Sequence, residues 1–193
     1  TNGVAVFKGP VNLQPGIYAI FFPGKQLRTE FLINKEQVIS VTADTADLVN
    51  KTKVTGSKEN ILYDQYQKFA AARGRLMQRE RRAYNNATTP ADSLLHEKNY
   101  NTYNKELNDY REGIIKNQPN SMMAALLNAM KEPAYPAKIP VTKQDSIDNY
   151  NEYVKNYWNG ITFMDDRIIR TPFFLKKLER YYREVISPDA ESI

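Results

Sequence analysis

Histidine is the residue type most often used for acid–base chemistry, and this chain has one, His96. A histidine general base needs a carboxylate to orient it and a nucleophile within reach. Because Glu97 and Lys98 follow His96 directly, we interpret it as a surface residue. No His-x-x-x-His, Glu-x-x-His, calcium-loop or phosphate-loop motif occurs. The sequence therefore predicts neither a metal site nor a cofactor.

Two adjacent carboxylates, Asp165 and Asp166, are the second candidate for chemistry. Side chains of neighbouring residues on a helix diverge by about 100°, so these two do not converge on one reacting atom. Arginines stand close by in the sequence, at Arg167 and Arg170. We expect the aspartates to cap a short helical turn and to form an ion pair with one of these arginines.

Five arginines lie between residues 73 and 82. Such a run could bind phosphate or an acidic partner. However, Arg75, Arg79 and Arg82 follow the spacing of one helix face, so we interpret them as a solvated surface. Recognition of nucleic acid also calls for exposed aromatic residues and more charge than the net +5 of this chain. We therefore expect no nucleic-acid partner.

The composition sets further limits. Cysteine is absent, which removes disulfides, thiolate metal sites and cysteine nucleophiles. A hydrophobic content of 41% with 25% charged residues is typical of a folded globular protein. The sequence has no run of about 18 consecutive apolar residues, so it predicts no transmembrane helix. The 13 tyrosines are unusual, and we expect most of them in seams between elements, since a tyrosine has an apolar ring and a polar tip.

Residues 1–55 predict an antiparallel β domain. Short apolar runs alternate with turn residues such as Pro15 and Gly16, and the short connections favour a meander or half-sandwich. Residues 4–7 have no upstream partner, so we expect strands that precede Thr1 to complete the sheet. The predicted strands are residues 4–7, 17–22, 31–33, 38–42 and 51–54.

Residues 56–193 predict a bundle of about five or six helices, which makes the fold class α+β. The apolar period changes from two to 3.6 after Gly56, and Ser57 is a good N-cap. The first two helices should form an antiparallel hairpin, and the helix over residues 121–130 should be the most buried. Residues 132–140 are rich in proline and predict an extended strap. A final start signal at Ser187 and Pro188 leads us to expect a helix that continues after Ile193.

The stretch from residue 156 to 182 holds the only tryptophan of the chain and several other aromatic residues. We interpret its rings as packing between helices, together with a clear helix start at Thr171 and Pro172. The alternative is a partner-binding surface. Its candidate residues are Tyr157, Trp158, Arg167 and Arg170.

Several short motifs resemble those of Bacteroidetes-type cell-envelope proteins. In the β half they are the runs over residues 3–9, 15–18, 31–33, 38–41 and 54–60, which are similar to a small β domain that stands ahead of a thioredoxin-like domain. The helical half resembles the segment that follows that β domain in thiol:disulfide interchange or peroxiredoxin-like proteins. Its signature residues are Tyr157, Trp158, Asp165, Asp166, Arg167 and the run Arg170, Thr171, Pro172, Phe173, Phe174, then residues 178–182.

The resemblance implies a periplasmic or surface protein, often held by a lipid anchor outside these 193 residues. Its redox chemistry would lie in a downstream thioredoxin-like domain with a Cys-x-x-Cys motif, and no catalytic residue carries over to this cysteine-free chain. We therefore expect a non-enzymatic N-terminal accessory region. It would position the redox domain, offer a surface to a partner, or form a homodimer.

A second hypothesis is a stand-alone envelope module that binds glycan or peptide by tyrosine and tryptophan stacking. It predicts several aromatic side chains exposed together in one cleft.

Overall fold

A computed structural model describes residues 3–22, 27–136 and 138–186 of the chain. Within these ranges, two small antiparallel sheets are followed by six helices, so the predicted α+β class is confirmed. The strands are β1 (Gly16–Phe21), β2 (Arg28–Ile33), β3 (Ser40–Thr42) and β4 (Lys53–Thr55), with a one-turn helix α1 (Leu48–Lys51) before β4. The helices that follow are α2 (Lys58–Asn85), α3 (Pro90–Asn117), α4 (Met122–Met130), α5 (Lys143–Asn156), α6 (Asp166–Ile169) and α7 (Pro172–Arg180), and α7 continues as a π-helical turn, Tyr181–Val185.

The strands form two separate pairs rather than the single meander that the sequence predicts. β1 pairs with β2, with Gly16 opposite Ile33, and β3 pairs with β4, with Ser40 opposite Thr55. Six residues and a change of direction separate β2 from β3, so the pairing does not continue from one sheet to the next. Gly56 ends β4 at a φ of 87°, and a Cβ there would stand 2.6 Å from the carbonyl oxygen of Val38. Only glycine fits this turn into α2.

The predicted strand over residues 4–7 is wrong. The segment makes no ladder, and its side chains are exposed, with Val6 at 73% and Phe7 at 79%. A strand needs a neighbour for its backbone N–H and C=O groups, and no described strand pairs with this segment. Apolar composition alone could not predict whether the segment has a partner.

Asn60 attaches the first sheet to the helices. Its side-chain oxygen accepts a hydrogen bond from the N–H of Leu32 (2.7 Å), and its amide donates to the carbonyl of the same residue (2.8 Å). Asn60 is 1% exposed, and Leu32 joins the main core. The side chain thus replaces a third strand along the outer edge of β2.

The long helices follow their local signals. Ser57 caps α2, and Thr89 caps α3 with Pro90 at its first position. The two helices pack against each other as the predicted hairpin, and α4 is buried along its length as predicted. The core around α4 comprises Leu32, Leu62, Tyr63, Tyr66, Leu107, Ile114, Met122, Met123, Leu126 and Leu127.

Side chains from other elements bind polar groups at both ends of α4. Both carboxylate oxygens of Glu59, in the first turn of α2, accept from the N–H of Met122 at 2.9 and 3.1 Å. At the other end, the ammonium of Lys177 donates to the carbonyl of Lys131, the residue that follows α4. These two contacts hold the most apolar helix between α2 and α7.

The segment after α4 runs as the predicted extended strap, with its Tyr135 ring 5.8 Å from that of Tyr153. The sequence predicts a helix from Ser146 to Trp158, whereas α5 begins three residues earlier, at Lys143, because Thr142 and Asp145 form a capping box. The helix start predicted at Ser187 and Pro188 lies outside the described residues.

Replacing Asn60 by alanine should destabilise the protein by roughly 2–4 kcal/mol, since it leaves two buried backbone groups of Leu32 without a partner at about 1–3 kcal/mol each. Urea unfolding measures the loss. Asn101→Ala, on the exposed side of α3, is the matched control and should change stability by less than about 0.5 kcal/mol. Equal midpoints for the two variants would contradict this role of Asn60.

Candidate functional site

An aromatic cluster joins the end of α5 to α7. It consists of rings whose neighbouring centroids lie between 5.0 and 6.2 Å apart, at tilted or edge-to-face angles that favour aromatic contact. Its members are Tyr153, Tyr157, Trp158, Phe163, Phe174 and Tyr181. The cluster fastens the last helices of the described chain to each other.

Tyr157 lies at the centre of the aromatic cluster and has no exposed surface. Its hydroxyl donates to the carbonyl of Lys177 at 3.0 Å, and burial raises the pKa of Tyr157 to about 12. Trp158 is half-buried and contacts four rings of the cluster. The burial of Tyr157 counts against a role for its ring as a surface on which a ligand stacks.

Lys177 is the unexpected charge in this region. It is only 6% exposed, and its ammonium lies 5.1 Å from the ring centre of Tyr157 and 5.9 Å from that of Trp158. Burial lowers the pKa of Lys177. Two aromatic faces and the carbonyl of Lys131 stabilise the charged form, so this lysine ties the aromatic cluster to the end of α4.

The two candidate arginines make structural contacts at α6. The Arg167 guanidinium donates to Asp165 at 2.6 and 2.8 Å and also to the carbonyl of Asn120 at 3.1 Å. Arg170 pairs with Asp166 at 3.4 Å. The Asp165 carboxylate also accepts from the N–H of Arg167, so the predicted capping and ion pairs are confirmed. The hydrogen bonds from Arg167 hold the pKa of Asp165 below its usual value.

Arg167 also borders a hollow of about 420 Å³ at the junction of the first sheet with α2 and α4. Lys35, Lys58 and Glu59 are among the other residues that line it. Glu59 already binds the N–H of Met122, and Arg167 already binds Asp165. The four candidate residues therefore make different contacts. Tyr157 and Trp158 pack helices together, whereas Arg167 ties α6 to the loop before α4 and Arg170 pairs with Asp166 of α6.

The His96 side chain is 27% exposed, so it lies partly at the surface, but it also has a partner that the sequence did not predict. Its Nδ1 donates to the carboxylate of Glu80 at 2.9 Å, across the hairpin of α2 and α3. Glu80 is 3% exposed and also accepts from Arg79 at 2.7 Å and from Asn99 at 3.2 Å. These bonds, led by that of His96, lower the pKa of Glu80 to about 2.

The sequence carried a signal for this buried carboxylate. Glu80 stands four residues after Leu76 and seven after Arg73, so the helical period places it on the inner stripe of α2. The residues around it are otherwise typical of a solvent-exposed face. An oriented histidine resembles part of a hydrolytic triad. Among the described residues, however, no hydroxyl group forms a hydrogen bond with His96. The arrangement links two helices.

Within the described ranges, no three His, Asp or Glu side chains lie close enough to hold a metal ion. None of the helices there combines the length and apolar character needed to cross a membrane. No protein-family model, curated protein or solved structure matches the chain. The family resemblance therefore stays a prediction.

The lowered pKa of Glu80 predicts how the stability of the protein depends on pH. Because its pKa in the folded protein lies near 2, below its ordinary 4.5, the stabilisation is complete above about pH 4.5 and is lost as the pH falls toward 2. Glu80→Gln should unfold at lower urea than the parent protein at pH 7, and the difference should shrink between pH 4.5 and 2. Glu97→Gln, exposed beside His96, is the control. An undiminished difference at pH 2 would contradict this account.

Tyr157 offers a second test. Truncation to alanine should cost about 3–5 kcal/mol, the usual loss for a large buried ring. Tyr182→Ala removes a ring that is 49% exposed and should cost at most about 1 kcal/mol. The fluorescence of Trp158 reports unfolding in both variants. Similar losses for the two tyrosines would show that the aromatic cluster does not depend on Tyr157.

Proposed function

We propose that this chain is the non-catalytic accessory region of a cell-envelope thioredoxin-like oxidoreductase, which positions a downstream redox domain by direct contact. The family resemblance and the absence of cysteine support this role. The observation that carries it is a pair of apolar regions that have no strand partner among the described residues. They are the N-terminal segment, residues 3–14, and the outer edge of β1.

The N-terminal segment exposes large apolar side chains in succession. Val4, Val6, Phe7 and Val11 are each between 73% and 79% exposed. Single exposed apolar residues are common on protein surfaces, but a contiguous set is typical of a surface that another protein covers. The segment has no helix or strand partner among the described residues, so these side chains are not covered there.

The outer edge of β1 has free backbone groups. Leu32 of β2 directs both its N–H and its C=O group to Asn60, so neither group bonds to β1. Ile17, which lies opposite Leu32 on β1, therefore belongs to a non-hydrogen-bonded pair of the ladder. Hydrogen-bonded and non-hydrogen-bonded pairs alternate along an antiparallel ladder. Ala19 and Phe21 therefore also direct their N–H and C=O groups away from β2. Among the described residues, none bonds to these groups.

β1 also lacks the usual protection of an edge. Natural edge strands carry lysine, proline or a bulge that prevents pairing with another chain, whereas β1 has no charged residue and no proline between Gly16 and Phe21. An open strand edge suits recognition by strand addition, and an exposed apolar segment suits burial against another protein. We infer that the redox domain covers these regions, and a homodimer through them is the alternative.

The most direct test reads the coding sequence after residue 193. The proposal expects a thioredoxin-like domain with a Cys-x-x-Cys motif there. A gene that encodes no such domain would contradict the oxidoreductase context.

A second test measures the contact itself. In the full polypeptide, Val6→Asp combined with Phe7→Asp should increase the radius of gyration in X-ray scattering, because charge on the segment opposes its burial. If the chain instead forms a homodimer, the same change should convert dimer to monomer in sedimentation. Val141→Asp, at a residue that is 87% exposed on the strap, is the control. Unchanged size and mass in the double variant would contradict an interface at this segment.

A further inference from the structure

A hollow of about 440 Å³ opens between the strap that follows α4, the outer side of α5 and the π-helical turn. This volume falls within the range of small-molecule sites. Its lining combines three tyrosines with three charged residues, which are Tyr135, Tyr150, Tyr153, Glu132, Arg180 and Glu184. We call it the tyrosine hollow.

The floor of the tyrosine hollow is the exposed end of the aromatic cluster. Tyr135 is 58% exposed and Tyr150 is 42% exposed, while Tyr153 connects them inward to the buried ring of Tyr157 at 6.0 Å. The hydroxyl of Tyr150 donates to the carbonyl of Val185, which fixes its ring. These contacts orient Tyr150 and Tyr153, and Tyr135 is placed by its contact with Tyr153.

The ring geometry decides what can stack there. The centroids of Tyr135 and Tyr153 are 5.8 Å apart with 41° between the planes. Rings this close touch each other, so a quaternary ammonium group cannot enter between them as it does in an aromatic cage. The pair instead offers two tilted ring surfaces side by side, and a ring-shaped ligand can stack its flat C–H face on either of them.

The rim of the tyrosine hollow supplies polar groups. Arg180 pairs with Glu132 at 2.7 Å and with Glu184 at 3.2 Å, which holds all three side chains in place. One guanidinium between two carboxylates leaves the rim with a formal net charge of −1, which disfavours an anionic ligand. Their remaining N–H donors and carboxylate lone pairs suit a neutral ligand with several hydroxyl groups.

We propose that the tyrosine hollow binds a saccharide. A pyranose has an apolar C–H face and an edge of hydroxyl groups, and the hollow has an aromatic floor beside a rim of hydrogen-bonding groups. One sugar ring would stack on Tyr135 and Tyr153, and its hydroxyls would bond to Glu132, Arg180 and Glu184. The inference does not depend on the accessory role, since the N-terminal segment and β1 contribute nothing to this hollow.

The test titrates the intact chain with soluble hexasaccharides of β-linked glucose, of N-acetylglucosamine and of mannose, alongside an immobilised glycan array. We expect calorimetric binding of at least one glycan, weakened at least about tenfold by Tyr135→Ala, which removes the stacking ring. Tyr135→Phe should retain most of the affinity, because it keeps the ring. Tyr84→Ala, 46% exposed on α2, should bind as the parent does.

Two results would overturn the proposal. One is the absence of binding to every glycan at millimolar concentration by a protein whose Trp158 fluorescence shows it to be folded. The other is unchanged affinity in Tyr135→Ala. Failure here leaves the accessory role intact, because that role is tested by the downstream coding sequence and by the N-terminal segment.

Discussion

The burial of α4 is supported by two charged side chains that bind polar groups at its ends. The helix is nine residues long and apolar on nearly every side, and the terminal N–H and C=O groups of any helix lack partners within it. Glu59 from α2 binds the N–H of Met122, and Lys177 from α7 binds the carbonyl of Lys131. Without these contacts, burying α4 would leave polar groups unsatisfied, which costs more than a typical hydrogen bond contributes. Helices on both sides of α4 are thus fixed to it by polar contacts as well as by apolar packing.

The surfaces proposed for binding belong to elements around this core. Asn60 holds β2 against α2, and in doing so it leaves β1 as the open edge of the first sheet. At α7, the aromatic cluster that carries Lys177 continues outward through Tyr153 to the tyrosine hollow. In each case a rigid inner contact determines which groups face solvent. Such support lets an exposed surface recognise a partner without first becoming ordered.

Features encoded by neighbouring residues could be predicted from the sequence. Ser57, Thr89, Asp165 and Thr171 each cap the helix that follows, because a capping side chain bonds to a backbone N–H only two or three residues away. The helical hairpin and the burial of α4 follow from apolar periodicity in the same way. These signals need no knowledge of the rest of the fold.

Features that depend on distant residues could not be predicted. The strand expected at residues 4–7 has the right composition, but pairing is a property of two segments. The link between Glu80 and His96 joins residues 16 positions apart on different helices, and a lone histidine gives no local sign of it. Tyr157 and Trp158 were rightly interpreted as packing residues, whereas the exposed tyrosines gather only because the strap passes beside α5. Long-range contacts therefore determine most of what the candidate sites look like.

Hydrogen–deuterium exchange on the isolated chain at low concentration tests the central claim. This claim is that a core fixed around α4 supports two regions without a strand partner, which are residues 3–14 and the outer edge of β1. We predict the slowest exchange for amides of α4 and for the half of α2 that packs on it. Amides of residues 4–14, and those of Ala19 and Phe21 on the open edge, should exchange fastest among the extended segments. Exchange in α4 as fast as in α5, or strong protection of residues 4–14 in the monomer, would contradict the account.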